Sequence, residues 1–447
     1  MPLRWIHAVP VATVLLLAGC GKKDVGTTDT ASAASGTAMA SAPLASGIAV
    51  PAVVASPVAV GGMAASVPAA VAASGTGTGT AAVRTVRIGH AGPLSGAEAH
   101  LGQDSENAAR LAVEEINARG LSIDGQAITL ELDAQDDGGD PRKGVTVARK
   151  LVADQVVGVI GDLASAVSIP ASQVYGAAGV TQLSSSSTDP AFTGQGYKTS
   201  YRMVANDTQQ GTALAALAIE SLHAKTLAVV DDGTPYGKHL AAAFLQAVRA
   251  HAGGANLRDV ARESENPGMR GAEPRGADLK AILKRLKARA PNVVLFAGMD
   301  VAGGAFVRQM AASGLHATVL GGDGLCSEKG AALAGAAVDN LICAQVGPAL
   351  SSMDQGAAFA QRYAARFHIP VQAYAPFAYD AVYVLVDAMK RANAVDPAKI
   401  LAAMPSTDYT GLTGPIAFTA RGELKQAAVT LYQFKDQKRA VRDVVKM

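Results

Sequence analysis

Short apolar runs alternate with amphipathic stretches from about residue 84 to the C-terminus. The run VRIGHA at 86–91 reads as a buried strand. It breaks at Gly92-Pro93, and the loop beyond it carries Ser95, Gly96 and Gly102. From Glu106 the spacing predicts an amphipathic helix, with Ala109, Ala112, Val113 and Ile116 on one face and Arg110, Glu114 and Glu115 opposite. Gly120 stands where a glycine ends a helix. Further strands are predicted at 127–133, 156–160, 179–184, 226–231, 292–297, 317–321, 339–344 and 428–434. Helices are predicted at 141–153, 166–177, 207–222, 236–252, 276–289, 302–313, 328–335, 353–367, 373–392 and 396–403. Such alternation implies parallel sheets with right-handed crossovers. In open sheets of this kind ligands bind at the carboxyl ends of the strands.

The N-terminus departs from this pattern. Arg4 precedes an apolar stretch from Ala8 to Ala18 that ends in Leu17-Ala18-Gly19-Cys20, so residues 1–20 read as a signal peptide rather than a membrane span. Leu-Ala-Gly-Cys resembles the bacterial lipoprotein box, which implies lipidation of Cys20. Residues 21–83 are almost entirely Ala, Ser, Gly, Thr, Val and Pro. Pro51, Pro57, Pro68 and Gly61-Gly62 interrupt the apolar part of this segment, which lacks aromatics and cannot offset its ordering entropy. It is expected to be a flexible tether with a mean end-to-end distance of roughly 40–50 Å. An exported protein held to the membrane by lipid alone follows.

Composition narrows the function. Residues 84–447 exceed one ordinary core and suit two lobes. The net charge is +2 and there is one Trp, with no basic stretch interleaved with aromatics, so nucleic acid is not an expected partner. Cys326 and Cys343 remain once Cys20 is assigned to the lipid. In an oxidising compartment such a pair most often forms a disulfide, the expectation here; a metal site or two free thiols are the alternatives. No nucleophile elbow, phosphate loop, zinc-protease helix or paired C-x-x-C is present, and no nucleophile with a base can be named. The chain therefore does not read as an enzyme, and no cofactor or metal is expected. Asp136-Asp137 and Asp231-Asp232 could be imagined as metal ligands, but acidic pairs at strand ends are more often solvated turn formers or hinge-side hydrogen bonders.

Polar clusters recur at strand ends. Gly161-Asp162-Leu163-Ala164-Ser165 follows one predicted strand and precedes a helix, so Ser165 offers a hydroxyl and a backbone N–H to an anion. The next strand ends in Ser184-Ser185-Ser186-Ser187-Thr188-Asp189-Pro190. In the second half, Gly322-Asp323-Gly324 places a carboxylate between glycines that remove side-chain bulk.

Gly92-Pro93-Leu94-Ser95-Gly96 followed by Ala112-Val113-Glu114-Glu115-Ile116-Asn117 resembles the start of the leucine/isoleucine/valine-binding proteins, the extracytoplasmic receptors of branched-chain amino acid ABC transporters. The resemblance runs from about Val83 to the C-terminus. It implies a type I periplasmic-binding fold, two doubly wound α/β lobes joined by three crossing segments. Residues 84–206, completed by about 346–426, would form the first lobe, and 207–345, completed by about 427–447, the second. The resemblance places the ligand α-carboxylate on Ser165, and carboxylate and ammonium on Ser186 and Thr188, the former through its backbone carbonyl. Asp323 would pair with the ammonium. Leu163, Ala164 and Gly324 flank these positions and join the expected ligand neighbours. Tyr236 matches the tyrosine that closes over the ligand, Tyr379 matches another pocket tyrosine, and Leu101 and Met299 replace two pocket aromatics. The family's own disulfide positions correspond to Gly139 and Ala164, so that bridge is absent. The expected partners are a small aliphatic amino acid and the permease and ATPase subunits of an importer, with the protein itself a monomer. A sensor of the same fold, binding an amide, urea or aromatic acid, is the second reading.

Overall fold

A computed structural model of the chain describes residues 83–251, 259–264 and 276–447. The expected leader, Cys20 and the tether up to residue 82 lie outside these residues. At the centre of the first sheet, β1 (Arg84–Gly92) is buried along its second half, as a strand covered by helices on both faces must be. It pairs in parallel with β3 (Gln126–Asp136) and β4 (Gly158–Ile160). The six-stranded order is β2-β3-β1-β4-β5-β6, with β2 (Leu121–Ile123) antiparallel at the edge and β5 (Thr181–Ser184) and β6 (Ser200–Arg202) parallel at the other side. The second sheet has the seven-stranded order β15-β14-β11-β10-β9-β7-β8. Its strands are β7 (Thr226–Asp231), β8 (Asp259–Ser264), β9 (Val293–Ala297), β10 (Thr318–Gly321), β11 (Leu341–Val346), β14 (Ala428–Lys435) and β15 (Lys438–Lys446), the last two antiparallel. A small ribbon, β12 (Tyr409–Gly411) with β13 (Gly414–Ile416), stands apart.

The helices are α1 (Ala99–Arg119), α2 (Pro141–Ala153), α3 (Ser165–Ala178), α4 (Ala191–Gly194), α5 (Asp207–Ala216), α6 (Pro235–His251), α7 (Gly276–Arg289), α8 (Asp300–Ala312), α9 (Glu328–Ala334), α10 (Gly356–Phe367), α11 (Ala375–Ala392) and α12 (Pro397–Ala403). Helix α11 packs along α1 and reaches β4 and β5, whereas α5 packs on α6 and on β11 and β14. The chain thus leaves the first lobe after β6, returns after β11, and crosses again before β14. Both doubly wound lobes aim the carboxyl ends of their parallel strands at the space between them.

Several local signals explain the elements. Asp140 caps α2 by accepting from the backbone N–H groups of Arg142 and Lys143, with Pro141 at the first helical position. Asn206 and Gln209 form a reciprocal capping box on α5. The first helix begins at Ala99 rather than near Glu106, a correction with a clear cause. Asp104 and Ser105 are buried although polar, because Asp104 accepts from the backbone N–H groups of Gln372, Tyr374 and Ala375 and from the Tyr363 hydroxyl. That carboxylate thereby serves as the cap of α11, and its burial pushes it up to about 6. The helix expected over 207–222 passes into a π-turn at Leu217–Ser221. Cys326 and Cys343 are joined in a disulfide with Cα atoms 5.4 Å apart, linking the loop after β10 to β11.

Candidate functional site

The loops after β3, β4 and β5 in the first lobe face those after β7, β9 and β10 in the second, and a cavity of about 50 Å³ lies between them. One water needs roughly 10–15 Å³, so the space fits a small molecule. Leu163, Ala164, Ser165, Ser186 and Thr188 line it from the first lobe, and Tyr236, Met299, Asp323 and Gly324 from the second. These nine sequence-expected residues are brought together. Two others are not, and both are corrections. Leu101 is 1% exposed and faces the core around α1. Tyr379 sits on α11 against α1, where its hydroxyl lies 2.7 Å from Glu115 Oε2 and 3.3 Å from the Tyr383 hydroxyl. An amphipathic helix offers only one face to the cleft, and residue 379 is on the other side. Tyr374, at the start of α11, supplies the cleft tyrosine in its place. A larger open depression lined by Arg84, Asp154 and Lys399 lies at the amino ends of the first sheet's strands, the end where such sheets do not place their sites.

The serine loop is held by a dense set of bonds. Ser186 Oγ donates to the Leu163 carbonyl at 2.9 Å, tying the loop after β5 to the loop after β4. Ser165 Oγ accepts from the Asp189 backbone N–H and from Ser187 Oγ, each at 3.2 Å. Behind the loop lies Arg202, fully buried, which no sequence signal had singled out. Its guanidinium donates to the Ser187 carbonyl and, at 2.9 Å, to the Asp189 carbonyl, while its Nε reaches Glu423 at 3.0 Å. Two carbonyls on either side of Thr188 are therefore fixed by one planar fork. Ser165 also begins the 14-residue helix α3, whose N-terminal amides and dipole favour an anion.

Across the cleft, Asp323 is 3% exposed. Its Oδ1 accepts from Gln210 Nε2 at 2.9 Å, and its Oδ2 from the Tyr374 hydroxyl at 2.8 Å. Burial raises its pKa, while the bonds from Gln210, Tyr374 and Tyr236 oppose that rise. The flanking glycines are required by close approach: a Cβ on Gly322 would fall 2.4 Å from the Tyr236 hydroxyl, and one on Gly324 2.9 Å from Met299 Sδ. The Gly324 N–H donates to the Tyr236 hydroxyl at 3.1 Å, which orients the ring over the cavity. Asp136, Asp137, Asp231 and Asp232 do form turns, but they are not all solvated. Asp231 and Asp232 accept from the N–H groups of Gly233 and Thr234, and Asp137 and Asp231 are fully buried. Among the described residues no group of three or more His, Cys, Asp or Glu is placed to hold a metal.

Among the described residues, several polar contacts join the lobes across the cleft. Tyr374 reaches Asp323 as above, His100 Nε2 lies 2.7 Å from Asp300 Oδ2, and Lys329 Nζ donates to the Ala97 carbonyl at 2.9 Å. Two doubly wound lobes, three crossovers and a polar cavity at facing strand ends define a two-lobed cleft receptor for a small solute. The chain belongs to the periplasmic binding protein family, whose model matches residues 85–439. It is 31% identical over 358 residues to Leu/Ile/Val-binding protein homolog 1 of Brucella melitensis, covering 80% of this chain and 92% of that protein. Its fold is similar to that of the leucine-binding protein LivK of Thermotoga maritima (TM-score 0.72, 23% identity, 80% and 98% of the two chains). It is equally similar to LivJ of Streptococcus pneumoniae, solved with isoleucine (TM-score 0.71, 24% identity, 81% and 100%). The architecture is the type I periplasmic-binding fold.

Proposed function

We propose that this protein captures an α-amino acid in the cleft and delivers it to the permease and ATPase subunits of an ABC importer. The observation that carries this reading is the division of polar groups between the lobes. Ser165, Thr188 and the start of α3 offer donors for a carboxylate from one side, and Asp323 offers an acid for an ammonium from the other. A zwitterion on one carbon is the ligand that uses both. The relatives, a Leu/Ile/Val-binding protein and LivJ in complex with isoleucine, support a branched-chain or related amino acid. Bound by both lobes, the ligand favours the closed arrangement, and the closed form is what the permease would recognise. In this reading the leader would send the domain out of the cytoplasm and a lipid on Cys20 would anchor it, with the protein acting as a monomer.

Mass spectrometry of ligand released from purified protein, followed by calorimetric titration with that compound, tests the reading. Recovery of an unmodified α-amino acid that rebinds with one-to-one stoichiometry is the expected result. A ligand lacking either the ammonium or the carboxylate, or one recovered chemically altered, would overturn it.

A further inference from the structure

The cavity contains more acid than a zwitterion needs. Asp323, Asp232 and Glu98 all line it, and no Lys, Arg or His is among its lining residues. Asp323 faces the Gln210 amide and the Tyr374 hydroxyl and is the acid assigned to the ammonium. Asp232 is committed to its own turn: its Oδ1 accepts from the Thr234 N–H at 3.0 Å and from the Thr234 hydroxyl at 2.6 Å. Glu98 is different. It precedes α1 on the first lobe, and its Oε2 is buried with no hydrogen-bond partner. A Cβ on Gly139, the glycine beside it in the cavity wall, would sit 3.5 Å from that oxygen, an ordinary van der Waals contact that places Gly139 directly against it. The cation closest in effect, Lys329, already donates to the Ala97 carbonyl. Burial first, then the charges of Asp300, Asp232 and Asp137, push Glu98 up to about 8. Among the described residues no hydrogen-bond donor reaches Glu98 Oε2.

We propose that Glu98 sets the specificity of the cleft by receiving the end of the ligand's side chain, so that the preferred ligand is an α-amino acid whose side chain ends in a hydrogen-bond donor, a cationic one above all. The inference rests on the α-amino-acid reading of the site and narrows it to ligands related to, but other than, the branched-chain amino acids of the relatives' names. A purely aliphatic side chain would place methyl groups against a buried, unanswered acid, and a site whose polar group is left unpaired discriminates strongly against such a ligand. An ammonium or amide would satisfy the free oxygen and, if charged, offset the surplus of carboxyls.

Calorimetry on ligand-free full-length protein with L-leucine, L-glutamine and L-ornithine, for wild type, Glu98→Gln and Glu98→Leu, tests this. On wild type, ornithine or glutamine should bind at least about tenfold more tightly than leucine. Glu98→Gln should abolish any advantage of ornithine over glutamine, and Glu98→Leu should make leucine the tightest of the three. The near-isosteric Glu98→Gln decides the matter if Glu98→Leu does not fold. Leucine binding most tightly to wild type, with its affinity unchanged within about twofold in Glu98→Gln, would overturn the role of Glu98 while leaving the amino-acid site intact. Failure of any α-amino acid to bind wild type would overturn both.

Discussion

Replacing Asp323 with alanine is expected to weaken amino-acid binding by about a hundred- to a thousandfold. The carboxylate is 3% exposed, so an ammonium beside it leaves water to get there and depends on it for counter-charge. Removing one partner of such a buried pair costs about 3–5 kcal/mol, and each 1.4 kcal/mol is a decade of affinity. The lower half of that range applies, because Gln210 and Tyr374 already share the two oxygens and the ligand would not hold them alone. Tyr374 reaches Asp323 from the other lobe, so part of the loss is weaker closure. Asp323→Asn separates charge from hydrogen bonding: it keeps an acceptor for Tyr374 or Gln210 but offers no charge, and should fall close to the alanine variant. Burial raises the Asp323 pKa, against the bonds from Gln210, Tyr374 and Tyr236, so its ionised form is lost at a higher pH than for an exposed aspartate. The α-ammonium stays protonated across the acidic range, so affinity should decline as pH falls through that raised value, and the asparagine variant should lose this dependence. Isothermal titration of the three proteins at several pH values measures all of it. An alanine variant within threefold of wild type, or an asparagine variant that retains wild-type affinity, would refute the assignment.

The remaining predictions concern the frame and the anchor. Arg202→Met should lower unfolding free energy by about 3 kcal/mol in urea titration, because it strands Glu423 and frees the Ser187 and Asp189 carbonyls; retention of wild-type stability would show that the fork does not hold the serine loop. Cys326→Ser with Cys343→Ser should cost about 3 kcal/mol, from the loop entropy of a bridge whose ends are 17 residues apart in sequence, and dithiothreitol should reproduce the shift in wild type alone. Cys20→Ser should move the protein from the membrane fraction to the soluble extracytoplasmic fraction with an unchanged melting temperature, and acyl mass should be absent from its N-terminal peptide.

Much of the scaffold was legible because it is built from patterns local to a dozen residues. The helices expected over 141–153 and 276–289 run over those residues, and the buried central strands stand where the apolar runs fall. What escaped was decided at a distance. The three-residue strands β2, β6, β12 and β13 are too short to carry a period, and their partners alone make them strands. Along β15 nearly every residue is exposed, so its sequence carries no alternation with an apolar face. The start of α1 was hidden because Asp104 and Ser105 look like surface residues until α11 is placed against them.

The same division holds within the site. Ser165, Ser186, Thr188 and Asp323 follow strands in sequence, and a strand's carboxyl end is a local property that topology turns into a cleft. Gln210 and Tyr374 acquire their roles only from residues more than a hundred positions away: Gln210 and Asp323 are 113 apart, and Tyr374 and Asp104, which fixes it, are 270 apart. Arg202 is the sharpest instance, since a fully buried arginine in a three-residue strand shows nothing in the sequence, yet Glu423 returns from the far end of the chain to neutralise it. That return is made by the segment between β11 and β14, which comes back to the first lobe before the last crossing. The third crossing therefore does more than complete the topology. It carries the counter-charge that keeps the guanidinium in place behind Thr188, and so links the geometry of the binding loop to the integrity of the hinge.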